Sequence, residues 1–344
     1  MKILFSTVGA DATGYQRILY PVQALKDAYK DVETDILNVT NLDQQLKWAD
    51  IVVMQCLVGP QAFPVIEKIK ASNKPLIVDY DDNFVALPKN ILDLIGLSSE
   101  EAAANWEKYL KLADIITVAT SSLEAIVNEI RGSATKAVVL PNCIRRSDYA
   151  DSVSYNPWAS KDDEVKILYS CSESHQEDIK YISGVLDWIA TLYKNVTIIS
   201  HGGLDFNFLN PKFTGKATHH GKTSYDSYLK FLRTVKPHIF IAPLIDSPHN
   251  RCRSDLKFLQ SGLLKTAFLC SDLEPYSEVR HGITGFKAAD RLRWAWYLRK
   301  LILDRPLAMS LGLNAYQATS GEILENHISK WYLTYKKAME TRVC

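Results

Sequence analysis

The stretch Ala242–Phe286 reads APLIDSPHNRCRSDLKFLQSGLLKTAFLCSDLEPYSEVRHGITGF. An apolar run ends at Ala242, and a loop bearing Pro243, Pro248 and Asn250 follows. Ser254 is placed to cap a helix that begins near Asp255 and runs to about Leu264. Ala267–Cys270 then returns to a short apolar run. Strand, loop, helix and strand in this order make a βαβ unit, which needs parallel strands covered by helices.

The same alternation extends in both directions. Upstream lie Ile3–Val8, Asp35–Val39, Ile51–Cys56, Leu76–Tyr80, Ile115–Ala119 and Ala137–Leu140, rich in Val, Ile and Leu and largely without polar alternation. Helical segments such as Tyr15–Tyr29, Pro64–Ala71, Ser99–Leu112 and Ser121–Arg131 separate them. A polar stretch, 146–164, interrupts the pattern and reads as a linker. Val165–Tyr169, Val196–Ser200 and His238–Ala242 open a second set. At 344 residues the chain is longer than one core usually organises. The expectation is an α/β protein of two doubly wound Rossmann-like domains facing across a cleft, at 1–145 and 165–315. A final helix at about 316–339 is expected to pack back on the first domain.

Hydrophobic residues make up 47% and the formal net charge is +1, so no global field draws the protein onto nucleic acid or an anionic membrane. The six cysteines lack the paired spacing of a zinc site and read as reduced thiols. The first residues, Met1–Phe5, enter a strand without a signal peptide, and no apolar run approaches the ~20 residues that cross a bilayer. A cytoplasmic location is expected; the oligomeric state is left open.

Several loops at strand ends carry groups suited to an anionic ligand. Arg251 and Arg253 precede the helix that contains Lys257, where free backbone N–H groups and the helix dipole already favour an anion. They read either as a diphosphate clamp or as a solvated basic loop. Ser172 and His175 lie in the small-residue turn Tyr169-Ser-Cys-Ser-Glu-Ser-His175-Gln-Glu-Asp178, between a strand and a helix. Asp79, Asp81, Asp82 and Asn83 follow a buried strand, where α/β proteins place ligands. The first strand–helix turn carries Gly14, Tyr15 and Arg17, without the G-x-G-x-x-G spacing of a dinucleotide site.

Ser254-Asp255-Leu256-Lys257-Phe258-Leu259, Gly262, Ser271-Asp272, Pro275-Tyr276, Glu278 and Gly282-x-Thr284-Gly285 together resemble the C-terminal half of the family-four glycosyltransferases of GT-B fold. The Ser172–Asp178 turn and the Asp79–Asp82 cluster resemble a bacterial and phage branch of these enzymes. The resemblance implies sugar transfer from a nucleotide-sugar, UDP- or GDP-linked, with retention of configuration. Ser172, His175, Arg251, Arg253, Lys257 and Gln260 would hold the donor. Asp81 or Asp82 would act at the acceptor hydroxyl, with Gly14, Tyr15, Arg17 and Asn83 near the acceptor. The family's Glu-x7-Glu pair is missing: Gln260 stands at the second position and Cys252 at the first. A tightly bound cofactor is not implied, and a metal is not expected to be required, because cations on the second domain serve the diphosphate.

The implied acceptor is a glycan or lipid precursor, with a modified base in phage DNA as runner-up. A non-catalytic nucleotide-sugar or glycan-binding protein is the alternative, motivated by Cys252 and Gln260. An epimerase of the same shape is a third reading. The basic, aromatic run Lys287–Arg305 reads either as a surface for nucleic acid or anionic lipid or, preferred here, as a helix that buries its aromatic side and exposes its arginines.

Overall fold

The computed structural model describes residues 1–9, 11–132, 136–159, 163–203 and 216–340. The chain forms two compact units. Unit 1 is Met1–Cys143 with Cys252–Ser254 and Ile323–Cys344; unit 2 is Ile144–Arg251 with Asp255–Glu322.

Unit 1 carries strands β1 (Lys2–Phe5), β2 (Glu33–Ile36), β3 (Ile51–Gln55), β4 (Leu76–Tyr80), β5 (Ile115–Val118) and β6 (Val138–Val139). Every neighbouring pair is parallel, in the order β2-β1-β3-β4-β5-β6. All five residues of β3 and of β4 are buried, which explains why both are apolar apart from Gln55 and Asp79 near their carboxyl ends. The helices are α1 (Ala12–Gly14), α2 (Tyr20–Ala28), α3 (Leu42–Trp48), α4 (Phe63–Ala71), α5 (Lys89–Ile95), α6 (Ser99–Leu112) and α7 (Ser121–Arg131). Helix α6 starts in a capping box between Ser98 and Glu101. A π-helical turn, Tyr15–Leu19, joins α1 to α2 just before Pro21, which has no N–H for an i−4 bond.

Unit 2 carries β7 (Val165–Cys171), β8 (Val196–Gly202), β9 (Ala217–Gly221), β10 (Ile239–Ala242), β11 (Ala267–Ser271) and β12 (Phe286–Ala288). Read from the other edge, their order is β9-β8-β7-β10-β11-β12, again all parallel. This is the Rossmann order, with its topological switch between β7 and β10. The helices are α8 (Arg146–Ser152), α9 (Gln176–Leu192), α10 (Tyr225–Val235), α11 (Leu256–Leu263), α12 (Arg291–Leu303) and α13 (Arg305–Thr319). Helix α8 lies within the polar stretch 146–164, and Tyr155 and Trp158 of that stretch are buried in unit 2.

The last helix, α14 (Leu324–Glu340), returns to unit 1 and packs on α2. Tyr332 stacks on Tyr29, and Tyr335 meets Phe5 edge-on. Among the described residues no helix is long and apolar enough to cross a membrane.

Candidate functional site

In unit 2 the switch point gathers the polar groups. β7 ends at Cys171, and the turn through Ser172 leads into α9; β10 ends at Ala242, and the loop to α11 follows. The backbone of β8 closes tightly on the first turn. A Cβ on Gly202, whose φ is +118°, would stand 1.9 Å from the Cys171 carbonyl oxygen, so only glycine fits.

Asp178 is the hub of this edge. It is buried; its Oδ2 lies 2.7 Å from His175 Nδ1, and its Oδ1 accepts from the backbone of Ile245 at 2.8 Å and from Asn250 Nδ2 at 2.7 Å. Asn250 also donates to the Ile245 carbonyl oxygen at 3.0 Å. One carboxylate therefore orients the histidine on one side and ties the β10–α11 loop on the other. The other ring nitrogen, His175 Nε2, stands 3.3 Å from Lys257 Nζ. Lys257 is in the first turn of α11, which holds no acidic residue. A cation is unfavourable beside the positive end of a helix dipole, so this position favours an anionic ligand. The Cys171 thiol is pushed up to about 12 by burial, against the pull of Lys257, so it stays neutral.

Other residues expected at the donor are placed differently. Ser172 shares a 2.9 Å hydroxyl contact with Ser174. Arg251 is exposed and makes a forked pair with Asp246 at 2.7 and 2.8 Å. Gln260 is buried: it donates to Tyr225 Oη at 2.9 Å and accepts from Tyr228 Oη at 3.3 Å. Its amide is held inside the unit rather than at the edge. The Asp255 carboxyl is pushed up to about 7 by burial, with Glu322 and Glu278 adding to the effect.

Arg253 and Ser254 belong to unit 1. Arg253 Nη1 pairs with Asp82 Oδ1 at 2.9 Å, and Ser254 Oγ accepts from Asn142 Nδ2 at 2.9 Å. Ser254 is thus not the α11 cap, which is Asp255. Cys252 lies in the apolar core of unit 1, its carbonyl oxygen accepting from Thr120 Oγ1 at 3.0 Å. Burial pushes its thiol up to about 11. The position resembling the first glutamate of the family pair is therefore a core position here, filled by a small apolar group.

At the carboxyl edge of the unit 1 sheet, Arg17 is fully interior. It forks onto Asp79 through Nε and Nη2 at 2.9 and 2.7 Å, and its Nη1 donates to the Leu140 carbonyl oxygen and to Asn142. Burial opposes the guanidinium charge, and Asp79 more than offsets it, so its pKa is raised. Thr117 Oγ1 donates to Asp79 at 2.6 Å. Arg17, expected near the acceptor, instead holds the sheet to the chain near Asn142. Asp79 is engaged on both oxygens.

Asp81 is half-buried and accepts a weak bond from the Cys56 thiol at 3.3 Å. Burial, then the neighbouring Asp82 charge, push its carboxyl up to about 7, while Arg17 and Thr13 pull the other way. Asn83 is buried in the same turn, where its Oδ1 accepts from the Val85 backbone at 3.2 Å. Gly14 is a close approach: a Cβ there would stand 1.8 Å from the Gly9 carbonyl oxygen. Tyr15 meets Tyr20 edge-on. Gln55, not singled out in the sequence, ties this turn together by accepting from Val8 and donating to Thr13.

Two six-stranded parallel sheets, each doubly wound, are those of the GT-B fold, and the chain has that fold. The likeness is closely shared by three solved proteins. Sucrose-phosphate synthase of Thermosynechococcus elongatus matches with a TM-score of 0.68 at 12% identity, covering 99% of this chain and 100% of that one. A glycosyltransferase of Rickettsia africae matches at 0.66 and 14%, covering 98% of each chain. HepE of Anabaena, solved with UDP-glucose, matches at 0.65 and 12%, covering 98% of this chain and 100% of that one. No family model and no curated protein matches the sequence.

Proposed function

We propose that the chain is a nucleotide-sugar-dependent glycosyltransferase whose unit 2 holds the donor diphosphate between the amino termini of α9 and α11. The observation that carries this reading is Lys257 in the first turn of α11, 3.3 Å from a histidine that Asp178 orients. Lys257, the His175 edge and the backbone N–H groups of the two helix starts would stabilise charge on the departing diphosphate. The UDP-glucose in HepE supports a uridine donor. The family-four resemblance supports retention.

On unit 1, Asp81 is the acceptor-side candidate. With its carboxyl near 7 it can accept a proton from, or a hydrogen bond from, an attacking hydroxyl. Arg253 on Asp82 would tune that charge. A glycan or lipid precursor is the acceptor class we favour.

The core position of Cys252 and the internal bonding of Gln260 favour one second reading, a binding protein without turnover. Calorimetry with UDP, GDP and their sugars, followed by a nucleoside-diphosphate release assay over an acceptor panel that includes DNA, separates these readings. Binding with release supports the transferase. Binding without release on any acceptor supports the second reading, and no binding of any nucleotide refutes both.

A further inference from the structure

We propose that the α9–α12 face of unit 2 docks on an anionic lipid surface, an inference that does not depend on the sugar-transfer reading. Helix α12 has two apolar stripes. Trp294, Leu298, Leu301 and Ile302 enter the core. Leu292, Trp296 and Leu303 do not: they are 82%, 57% and 58% exposed. With Arg299 they fall at i, i+4, i+7 and i+11, which is a second continuous stripe along the helix. The core gives this second stripe no burial.

The stripe continues onto α9. A groove of about 580 Å³ lies between the helices, lined by Lys180, Tyr181, Trp188, Arg291, Leu292 and Ala295. Trp188 is 40% exposed, and the Arg291 guanidinium lies 4.9 Å from the centre of the Tyr181 ring. Farther along α12, Trp296, Arg299, Lys300 and Leu303 line a second depression that Asp304 and Pro306 close.

Charge selects the occupant. From Arg291 to Lys300 there are four cations and no acidic residue. Arg293 and Arg299 make no ion pair among the described residues. The nearby acids are committed or marginal: Asp290 and Asp304 cap α12 and α13, Glu177 pairs with Lys180 at 2.9 Å, and Asp187 is half-buried on α9. Exposed tryptophan and leucine interleaved with arginine and lysine match a headgroup interface, which takes indole and alkyl groups below a layer of negative charge. Nucleic acid would use the cations but gives no burial to Leu292 or Leu303.

The face also leaves the ligand edge open. Helix α12 begins just after β12 and α9 just after β7, so both start at the carboxyl edge of the unit 2 sheet and run away from it. Docking along their sides leaves His175 and Lys257 at that edge uncovered.

The test is co-sedimentation of the full chain with phosphatidylcholine vesicles, with and without phosphatidylglycerol, alongside tryptophan emission. The wild type is expected to pellet with the anionic vesicles, with a blue shift, and to be released by salt. Arg293→Gln with Arg299→Gln should weaken vesicle binding on the order of twentyfold, at about fivefold per cation. Leu292→Ser with Trp296→Ser should remove both binding and most of the blue shift; circular dichroism checks that these exposed changes leave the fold intact. Equal pelleting of wild type and the Leu292/Trp296 variant overturns the proposal. So does failure of the folded wild type to bind anionic vesicles, or retention on DNA without retention on vesicles.

Discussion

Replacing Lys257 with alanine separates a ligand-binding cation from a structural one. In the free protein two small effects oppose each other. Removing a cation from the first turn of α11 relieves an unfavourable dipole interaction worth about 0.3–1 kcal/mol. The same change removes the 3.3 Å contact to His175, a long bond at the low end of the range, about 0.5 kcal/mol. The balance is near zero, so the melting temperature of the free protein should move by no more than about 1–2 °C. With a nucleoside diphosphate the effects no longer cancel. A hydrogen bond to a charged oxygen contributes about 1.5–3 kcal/mol, so UDP should bind on the order of 10- to 150-fold more weakly. Differential scanning fluorimetry measures the first quantity and titration calorimetry the second. Unchanged UDP affinity would show that Lys257 does not face the diphosphate. A fall of many degrees in the free protein would show that its role is structural and that the dipole argument is wrong.

Other perturbations follow from the same geometry. Arg17→Met leaves Asp79 buried with Thr117 as its one side-chain partner among the described residues, and should cost about 3–5 kcal/mol in urea unfolding. Asp81→Asn tests the raised carboxyl. Because its folded pKa lies above the unfolded value, the native state binds the extra proton, and wild-type stability falls as pH rises from about 4 to about 7. The asparagine variant should therefore gain stability relative to wild type at pH 8 and lose that advantage at pH 4, in melts run at both. If Asp81 serves the acceptor, wild-type turnover should rise through about pH 7 and the variant should lose it. Gly14→Ala forces a Cβ against the Gly9 carbonyl oxygen and should destabilise the chain by about 1–3 kcal/mol, read as a lower urea midpoint.

The sequence by itself determined the local pattern. The mainly apolar runs Ile51–Gln55 and Leu76–Tyr80 are strands buried on both faces, and a run of such residues is visible among neighbours along the chain before any packing is known. The three-residue spacing of His175 and Asp178 likewise places both on one helix start, as their 2.7 Å contact shows. What tertiary structure decided are contacts whose partners lie far apart in the chain. Arg17 and Asp79, 62 residues apart, meet only because the parallel sheet sets the carboxyl end of β4 beside the π-helical turn that follows β1. The short piece Cys252–Ser254 lies inside a run that reads as one continuous loop and helix, yet it belongs to unit 1, where Arg253 meets Asp82. No periodicity marks such a crossing, because three residues are fewer than one helical turn. Helix α12 shows the same limit: Trp294 and Trp296 are alike in composition, and only the direction of the core sends one inside and leaves the other in water.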